Sequence, residues 1–216
     1  MRVVRIVDLS HPISTRTQVY PGDPVPVFTP HARIADDGYN LLRIDLGTQT
    51  GTHIDAPRHI RDDGAPVDRL PPGMLVGRGV ILDVRGRVAP RGHITPELWG
   101  EADLRPGDLA LVHTGWSQYF GTDAYFDHPA LSVEACRWLI ERGVRTIGID
   151  APSIDPTGDE ALAAHRVIAA AHGVICENLR NLEAIDFADP LVSLLPIAFE
   201  GADGAPVRAV AMQIEA

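Results

Sequence analysis

The chain has 216 residues, with 19 Lys+Arg against 29 Asp+Glu for a net charge of −10, and is 45% hydrophobic. That length fits one domain over residues 1–216, enough to bury about 70% of its unfolded surface without a covalent staple. The acidic balance excludes the Lys/Arg footprint that nucleic acid or an anionic membrane surface requires, so the expected partner is a small-molecule substrate. The longest uncharged apolar run, residues 191–199, is about half of a membrane span. The opening MRVVRIVDLSHP meets Asp8 before any run of signal-peptide length, so the expected location is the cytoplasm.

Residues 3–9 alternate as a strand does, Tyr20-Pro21-Gly22-Asp23-Pro24 is a turn, and 41–46 is a second strand. Residues 80–84 (VILDV) are a continuous apolar run suited to a buried strand. Thr95-Pro96-Glu97 reads as an N-cap followed by proline at the first helical position, opening a short helix. Residues 109–113 form a strand. Ser132 then caps a helix whose Val133, Cys136, Leu139 and Ile140 share one face, and Gly143 stops it before the strand 146–149. Residues 159–172 repeat the pattern as an alanine-rich helix with Gly173 as its C′ residue, and 174–176 return as a strand. Strands at 193–199 and 207–214 close the chain around the turn at 201–204. Cys136 and Cys176 lack a C-x-x-C spacing and read as buried structural thiols. The class is α/β with a mixed sheet, helix-rich in its second half.

Chemistry concentrates in Gln49-Thr50-Gly51-Thr52-His53-Ile54-Asp55-Ala56-Pro57-Arg58-His59. If extended, period-2 geometry puts Gln49, Gly51, His53 and Asp55 on one face. Gly51 has no side chain, which opens a gap for an ion between the Gln49 amide and the His53 imidazole. Imidazole plus carboxylate suits Zn²⁺ or Mn²⁺. Pro57 breaks the strand and swings His59 over the site. A His-x-Asp pair on a strand is also common as a hydrogen-bonded surface pair, so spacing alone leaves both readings open. A second pair, His165 in a helix and Glu177 at the end of the next strand, can meet at one end of a sheet.

His31, His93 and His128 lie in polar, proline-adjacent loops and read as surface residues. His172 precedes Gly173, where a cation suits the helix dipole. His11 and His113 each follow a strand and can face a pocket, while Trp116 and Phe120 fit either a cavity wall or the core. Gly115-Trp116-Ser117-Gln118-Tyr119 lacks the second glycine of a nucleophile elbow, which argues against a serine hydrolase.

The segment from residue 49 to 59 resembles HxGTHxDxPxH, the signature of the cyclase family, which includes bacterial kynurenine formamidases and isatin hydrolases. The resemblance spans nearly the whole chain. Asp8-Leu-Ser-His-Pro12 and Tyr20-Pro-Gly-Asp23 resemble the family's opening, and Ile147-Gly-Ile-Asp150-Ala-Pro-Ser-Ile-Asp155 its central strand and loop. His165 through Glu177-Asn178-Leu179 is similar to its distal ligand pair, and residues 202–210 to its closing hairpin. The resemblance implies a swivelling β/α/β-type fold, a homodimer or homotetramer, and one or two Zn²⁺ or Mn²⁺ ions per chain. It implies His53, Asp55, His165 and Glu177 as metal ligands, His59 as the catalytic acid/base, and Tyr20 as an aromatic against the substrate. Gln49 stands where the family has its first histidine. Its amide oxygen is a neutral, harder donor that would weaken one metal position, favour Mn²⁺, or leave a single ion. The implied activity is hydrolysis of an amide or formamide bond by hydroxide carried on the ion, arylformamidase-like, converting N-formylkynurenine to kynurenine and formate. The alternatives are opening of a cyclic imide, lactone or isatin-type ring, a metal-dependent cyclase or dehydratase, and a non-catalytic homologue with a degraded site.

Overall fold

A nine-stranded mixed sheet organises the computed structural model, which describes residues 2–215. In chain order the strands are β1 (Arg2–Asp8), β2 (Val27–Ala32), β3 (Leu41–Asp45), β4 (His53–Asp55), β5 (Val76–Asp83), β6 (His93–Ile94) and β7 (Leu109–His113). They continue as β8 (Ala130–Leu131), β9 (Thr146–Ile149), β10 (Val174–Glu177), β11 (Leu191–Ser193), β12 (Gly204–Pro206) and β13 (Val210–Glu215). The helices are α1 (Ile34–Asp37), α2 (Val133–Glu141) and α3 (Ala163–Ala170). The large sheet has the order β1-β13-β11-β5-β7-β9-β10-β4-β12. Its centre, β5-β7-β9-β10, is parallel, and the strands on both flanks pair antiparallel.

The central strands are buried on both faces, which is why they read as continuous apolar runs. On β7, Leu109 and Leu111 join Ile54, Val174 and Cys176 in one apolar cluster. Ala110 and Val112 point the other way, into a cluster with Ile147, Ile149 and the inner faces of α2 and α3. Cys136 and Cys176 are buried free thiols, as expected. Burial, helped by the Asp155 charge, pushes the Cys136 thiol up to about 12, which makes it inert.

Local chemistry explains most boundaries and a few departures. The Ser132 hydroxyl accepts the Ala135 amide at 3.1 Å and caps α2, and Gly143 (φ +82°) ends it as expected. The helix expected over 159–172 is shorter, because Leu162 sits in the left-handed region (φ +47°) and α3 begins only at Ala163. At its far end His172, not Gly173, takes the left-handed position (φ +55°). Gly173 is required for another reason: a Cβ there would fall 2.8 Å from Ile168 Cγ2 and 2.9 Å from the Arg145 carbonyl. The helix expected after Thr95 is a single 3₁₀ turn, Pro96–Leu98.

The closing strands also differ from expectation. The strand placed at 193–199 stops at Ser193, after which Pro196 makes one isolated bridge to Val207. A proline offers no amide to a ladder, so the run cannot continue. The strand placed at 207–214 is β13, and the turn before it gives way to β12, which pairs with β4 through Gly204↔Asp55 and Pro206↔His53. The strand expected at 41–46 pairs with β2 in a separate two-stranded ribbon. One face of that ribbon carries Phe28, Pro30, Leu42 and Ile44, the last two 46% and 51% exposed.

A candidate metal centre at the β4–β10–α3 junction

Register places the first donors. Antiparallel pairing sets His53 opposite Glu177 and Asp55 opposite Ile175, so all four side chains share the sheet face that α3 covers. Ile54, between them, faces the opposite cluster. His165 on α3 comes down onto the same spot, and His53, Asp55, His165 and Glu177 are each at most 5% exposed. The two imidazoles face different oxygens of the same two carboxylates. His53 Nε2 lies 3.6 Å from Asp55 Oδ1 and 3.5 Å from Glu177 Oε2. His165 Nε2 lies 3.6 Å from Asp55 Oδ2 and 3.4 Å from Glu177 Oε1.

Those separations are long for hydrogen bonds. Donors about 2.0–2.2 Å from one cation at tetrahedral angles stand about 3.3–3.6 Å apart, which matches the distance from each imidazole to the carboxylate oxygens it faces; His53, Asp55 and Glu177 lie close enough together to share one ion. His53 Nε2 and Asp55 Oδ2 are buried with no hydrogen-bond partner, and a cation satisfies both. The electrostatics agree. Burial disfavours a charged His53, yet the Asp55 and Glu177 carboxylates outweigh it and raise its pKa to about 10. His165 is likewise raised against burial by Asp155, Asp55 and Glu177. Both carboxyls are held low, against their own burial, by the facing imidazoles. Two buried carboxylates demand positive charge, and a divalent ion supplies it while leaving both imidazoles neutral as ligands require.

Each candidate ligand is oriented from behind. His53 Nδ1 donates to the Gly51 carbonyl at 2.8 Å, which fixes the tautomer and turns Nε2 to the centre. Gly51 itself sits at φ +67°, with Ile13 only 3.0 Å from where a Cβ would be. Asp155 does the same for His165: its carboxylate accepts Nδ1 at 2.7 Å and the Ala164 and His165 amides at 2.8 and 2.9 Å. The Ile154 amide donates to Glu177 Oε1 at 2.9 Å.

His59 follows Pro57 in a 3₁₀ turn, as the chain break at proline predicts, with its ring centroid 6.1 Å from that of His165. His59 also stands close enough to Asp55 and His165 to form a second donor triad, which shares Asp55 with the triad His53–Asp55–Glu177. Gln49 is beside the cluster, but for a different reason than expected. Residues 49–52 form a turn, not part of β4, and the Gly51 backbone folds Gln49 back. Its Nε2, not its oxygen, faces Asp55 Oδ1 and Asp203 Oδ2, each at 3.2 Å. Two carboxylates can accept only from the amide NH₂, so the geometry makes Gln49 a donor in this arrangement.

The centre opens into a cavity of about 420 Å³. Tyr20 lines it, edge-on to Phe126, and its hydroxyl accepts the Gly158 amide at 2.9 Å. Tyr125 and Phe126 supply the aromatic wall, whereas Trp116 and Phe120 pack elsewhere. His128 is buried, not exposed: its ring meets the Pro129 carbonyl and the Thr157 hydroxyl at 3.1 and 3.0 Å. His31, His93 and His172 are exposed. His11 stacks on Phe120 at 3.9 Å, and neither it nor His113 lines the cavity. Asp155 and Asp203 carry structural roles at the site that the sequence reading missed. Their partners lie 10 and 144 positions away, beyond the reach of any local pattern.

The Cyclase family model matches residues 7–156. The chain is 32% identical over 213 residues to the kynurenine formamidase of Bacillus cytotoxicus, covering 97% of this chain and 98% of that one. The solved structure of isatin hydrolase A from Labrenzia aggregata bound to benzyl benzoate superimposes with a TM-score of 0.89 at 25% identity, covering 98% and 94% of the two chains. A structure described as a potential metal-dependent hydrolase with cyclase activity matches with a TM-score of 0.80 at 28% identity, covering 98% and 99%. With the family model matched over most of its length and 32% identity to a curated relative over nearly all of it, the chain belongs to the cyclase family.

Proposed function

We propose that this protein is a metal-dependent hydrolase of a formamide or ring-amide C–N bond, arylformamidase-like in its chemistry. One observation carries the reading: two buried imidazoles and two buried carboxylates face one another at cation spacing, His53, Asp55 and Glu177 close enough to share an ion, with two orphaned atoms among them. His53, Asp55, His165 and Glu177 would hold Zn²⁺ or Mn²⁺. A divalent ion in such a site acidifies a water and polarises a carbonyl. His59, at the cavity wall beside the ligands, takes up the water's proton and returns it to the leaving nitrogen. Tyr20, Tyr125 and Phe126 form the apolar surface against which a planar aryl group packs. The Asp55–His59–His165 triad supports a second ion sharing Asp55 as an alternative occupancy.

The names of the relatives support two substrates, N-formylkynurenine and isatin. One feature favours the ring amide. Asp23, Asp159 and Glu160 line the cavity and, among the described residues, no Lys or Arg does, so the carboxylate of N-formylkynurenine meets no side-chain cation from them there. The test is turnover of the Zn²⁺- or Mn²⁺-loaded protein on N-formylkynurenine, a neutral formanilide, isatin and a simple lactone. The reading predicts cleavage of at least one C–N bond, with chelator abolishing it; metal bound without turnover on any of them defeats it.

The homodimer or homotetramer is also part of this proposal. A lone two-stranded ribbon is marginal in water, and the apolar face of β2–β3 is exposed, which supports cover by a second copy. A cytoplasmic location is compatible with the absence, among the described residues, of any helix long and apolar enough to cross a membrane.

A further inference from the structure

We infer that Asp203 is a positioning residue that fixes the tautomer of His59, so that Nδ1 carries the hydrogen and Nε2 is left free to exchange a proton in the cavity. The inference rests on the reading of His59 as the proton carrier. Its geometry is independent of the metal.

Asp203 Oδ2 lies 3.0 Å from His59 Nδ1, and Asp203 Oδ1 lies 2.9 Å from the Thr48 hydroxyl. Gln49 Nε2 is 3.2 Å from Asp203 Oδ2, 3.2 Å from Asp55 Oδ1 and 3.3 Å from His59 Nδ1. A count of hydrogens settles the tautomer. The Gln49 amide has two hydrogens, and two carboxylate oxygens face it, so both are committed to Asp55 and Asp203. None remains for His59. With Nδ1 as an acceptor, its lone pair would confront a carboxylate oxygen at 3.0 Å with no proton between them. With the hydrogen on Nδ1, that clash becomes a hydrogen bond to Asp203 Oδ2. The two carboxylates set the orientation of the amide, and the single Thr48 hydrogen serves either Gln49 Oε1 at 2.7 Å or Asp203 Oδ1 at 2.9 Å.

The backbone holds Asp203 where this works. The Ala56 amide donates to the Asp203 carbonyl at 2.9 Å, and the next residue, Gly204, pairs with Asp55 across β12–β4. A side chain at 204 could not fit: its Cβ would lie 2.5 Å from the Ile54 carbonyl and 2.6 Å from Gln49 Nε2. Glycine there lets the strand approach closely enough for Asp203 to reach His59. A base oriented by a third group is the arrangement that makes a histidine an efficient proton carrier. Gln49, at the position of the family's first histidine, ties that orienting carboxylate to the ligand Asp55.

The test uses Asp203→Asn and Asp203→Glu in the zinc-loaded full chain. Asp203→Asn can turn an NH₂ toward Nδ1 and so favours the opposite tautomer. It is expected to lower kcat by about 10²-fold or more, with KM within threefold and bound zinc unchanged, while Asp203→Glu restores part of kcat. Long-range ¹H–¹⁵N correlation spectra are expected to show His59 protonated on Nδ1 in the parent and on Nε2 in Asp203→Asn. An Nε2-protonated His59 in the parent, or an Asp203→Asn enzyme with unchanged kcat, overturns the assignment. A parent that hydrolyses nothing but shows the tautomer and its reversal sinks the hydrolase reading and leaves the positioning role of Asp203 standing.

Discussion

Asp155 makes the sharpest test of how the ligand cage is built. Its carboxylate accepts three hydrogens, from the Ala164 amide, the His165 amide and His165 Nδ1, at 2.7 to 2.9 Å in a buried setting. The first two are unsatisfied amides of the opening turn of α3, whose own N-cap residue Leu162 offers no side-chain acceptor. Removing such a cap costs about 0.5–2 kcal/mol. Stranding a buried imidazole N–H adds about 1–3 kcal/mol. Asp155→Ala should therefore destabilise the metal-free protein by about 2–5 kcal/mol, read by urea unfolding in excess chelator. Because His165 also loses the group that aims Nε2 at the centre, metal affinity should fall about 10- to 100-fold, read by competition with a chelating dye. Asp155→Asn keeps one acceptor oxygen and should fall between the two. An Asp155→Ala protein that unfolds within about 0.5 kcal/mol of the parent and holds metal as tightly would refute the reasoning.

Three further outcomes are expected. His59→Ala should keep its metal and lose about 10²- to 10⁴-fold in kcat, whereas Asp55→Ala should lose both; metal content beside initial rates decides, and an unchanged rate in His59→Ala removes its role. Gly64→Ala should lower kcat by about 10²-fold without metal loss, because a Cβ there falls 2.4 Å from the Pro57 carbonyl carbon and 2.6 Å from the Arg58 amide, displacing the turn that carries His59. The third concerns acid stability. Burial, helped by Arg180, lowers His11 to about 4. An unfolded histidine takes its proton near 6.5, so between those values the unfolded chain binds more protons and stability falls as pH drops, by up to about 3 kcal/mol. Urea unfolding of the metal-free protein from pH 6.5 to 4 should show a shallower decline in His11→Phe; an identical decline would remove His11 as the cause.

What the sequence made legible follows from the range of the forces involved. His53 and Asp55 two positions apart, proline before His59, and the Ser132 and Gly143 signals around α2 are local rules, and the structure obeys them. The cage around His165 is not local. It depends on Asp155 reaching an α-helix that starts late, at Ala163, because Leu162 adopts a left-handed backbone that no residue type there advertises. Gln49 is adjacent to the ligands as expected, yet a turn at Gly51 brings it there, and its neighbours decide that it donates. Asp203 sat in a stretch that reads only as a turn, because β12 exists through pairing with β4 and carries too few residues to show a period. His128 looked exposed beside Pro129, but tertiary packing with Thr157 buries it.

The central claim is that a divalent cation is held in this cluster by His53, Asp55 and Glu177, with His165 beside it. Anomalous diffraction from crystals of the Zn²⁺-loaded protein, recorded on both sides of the zinc edge, tests it most directly. The account predicts a peak within bonding distance of His53 Nε2 and oxygens of Asp55 and Glu177, absent from crystals of Asp55→Ala. A zinc peak elsewhere in the molecule, or none with these four side chains unmoved, would contradict it.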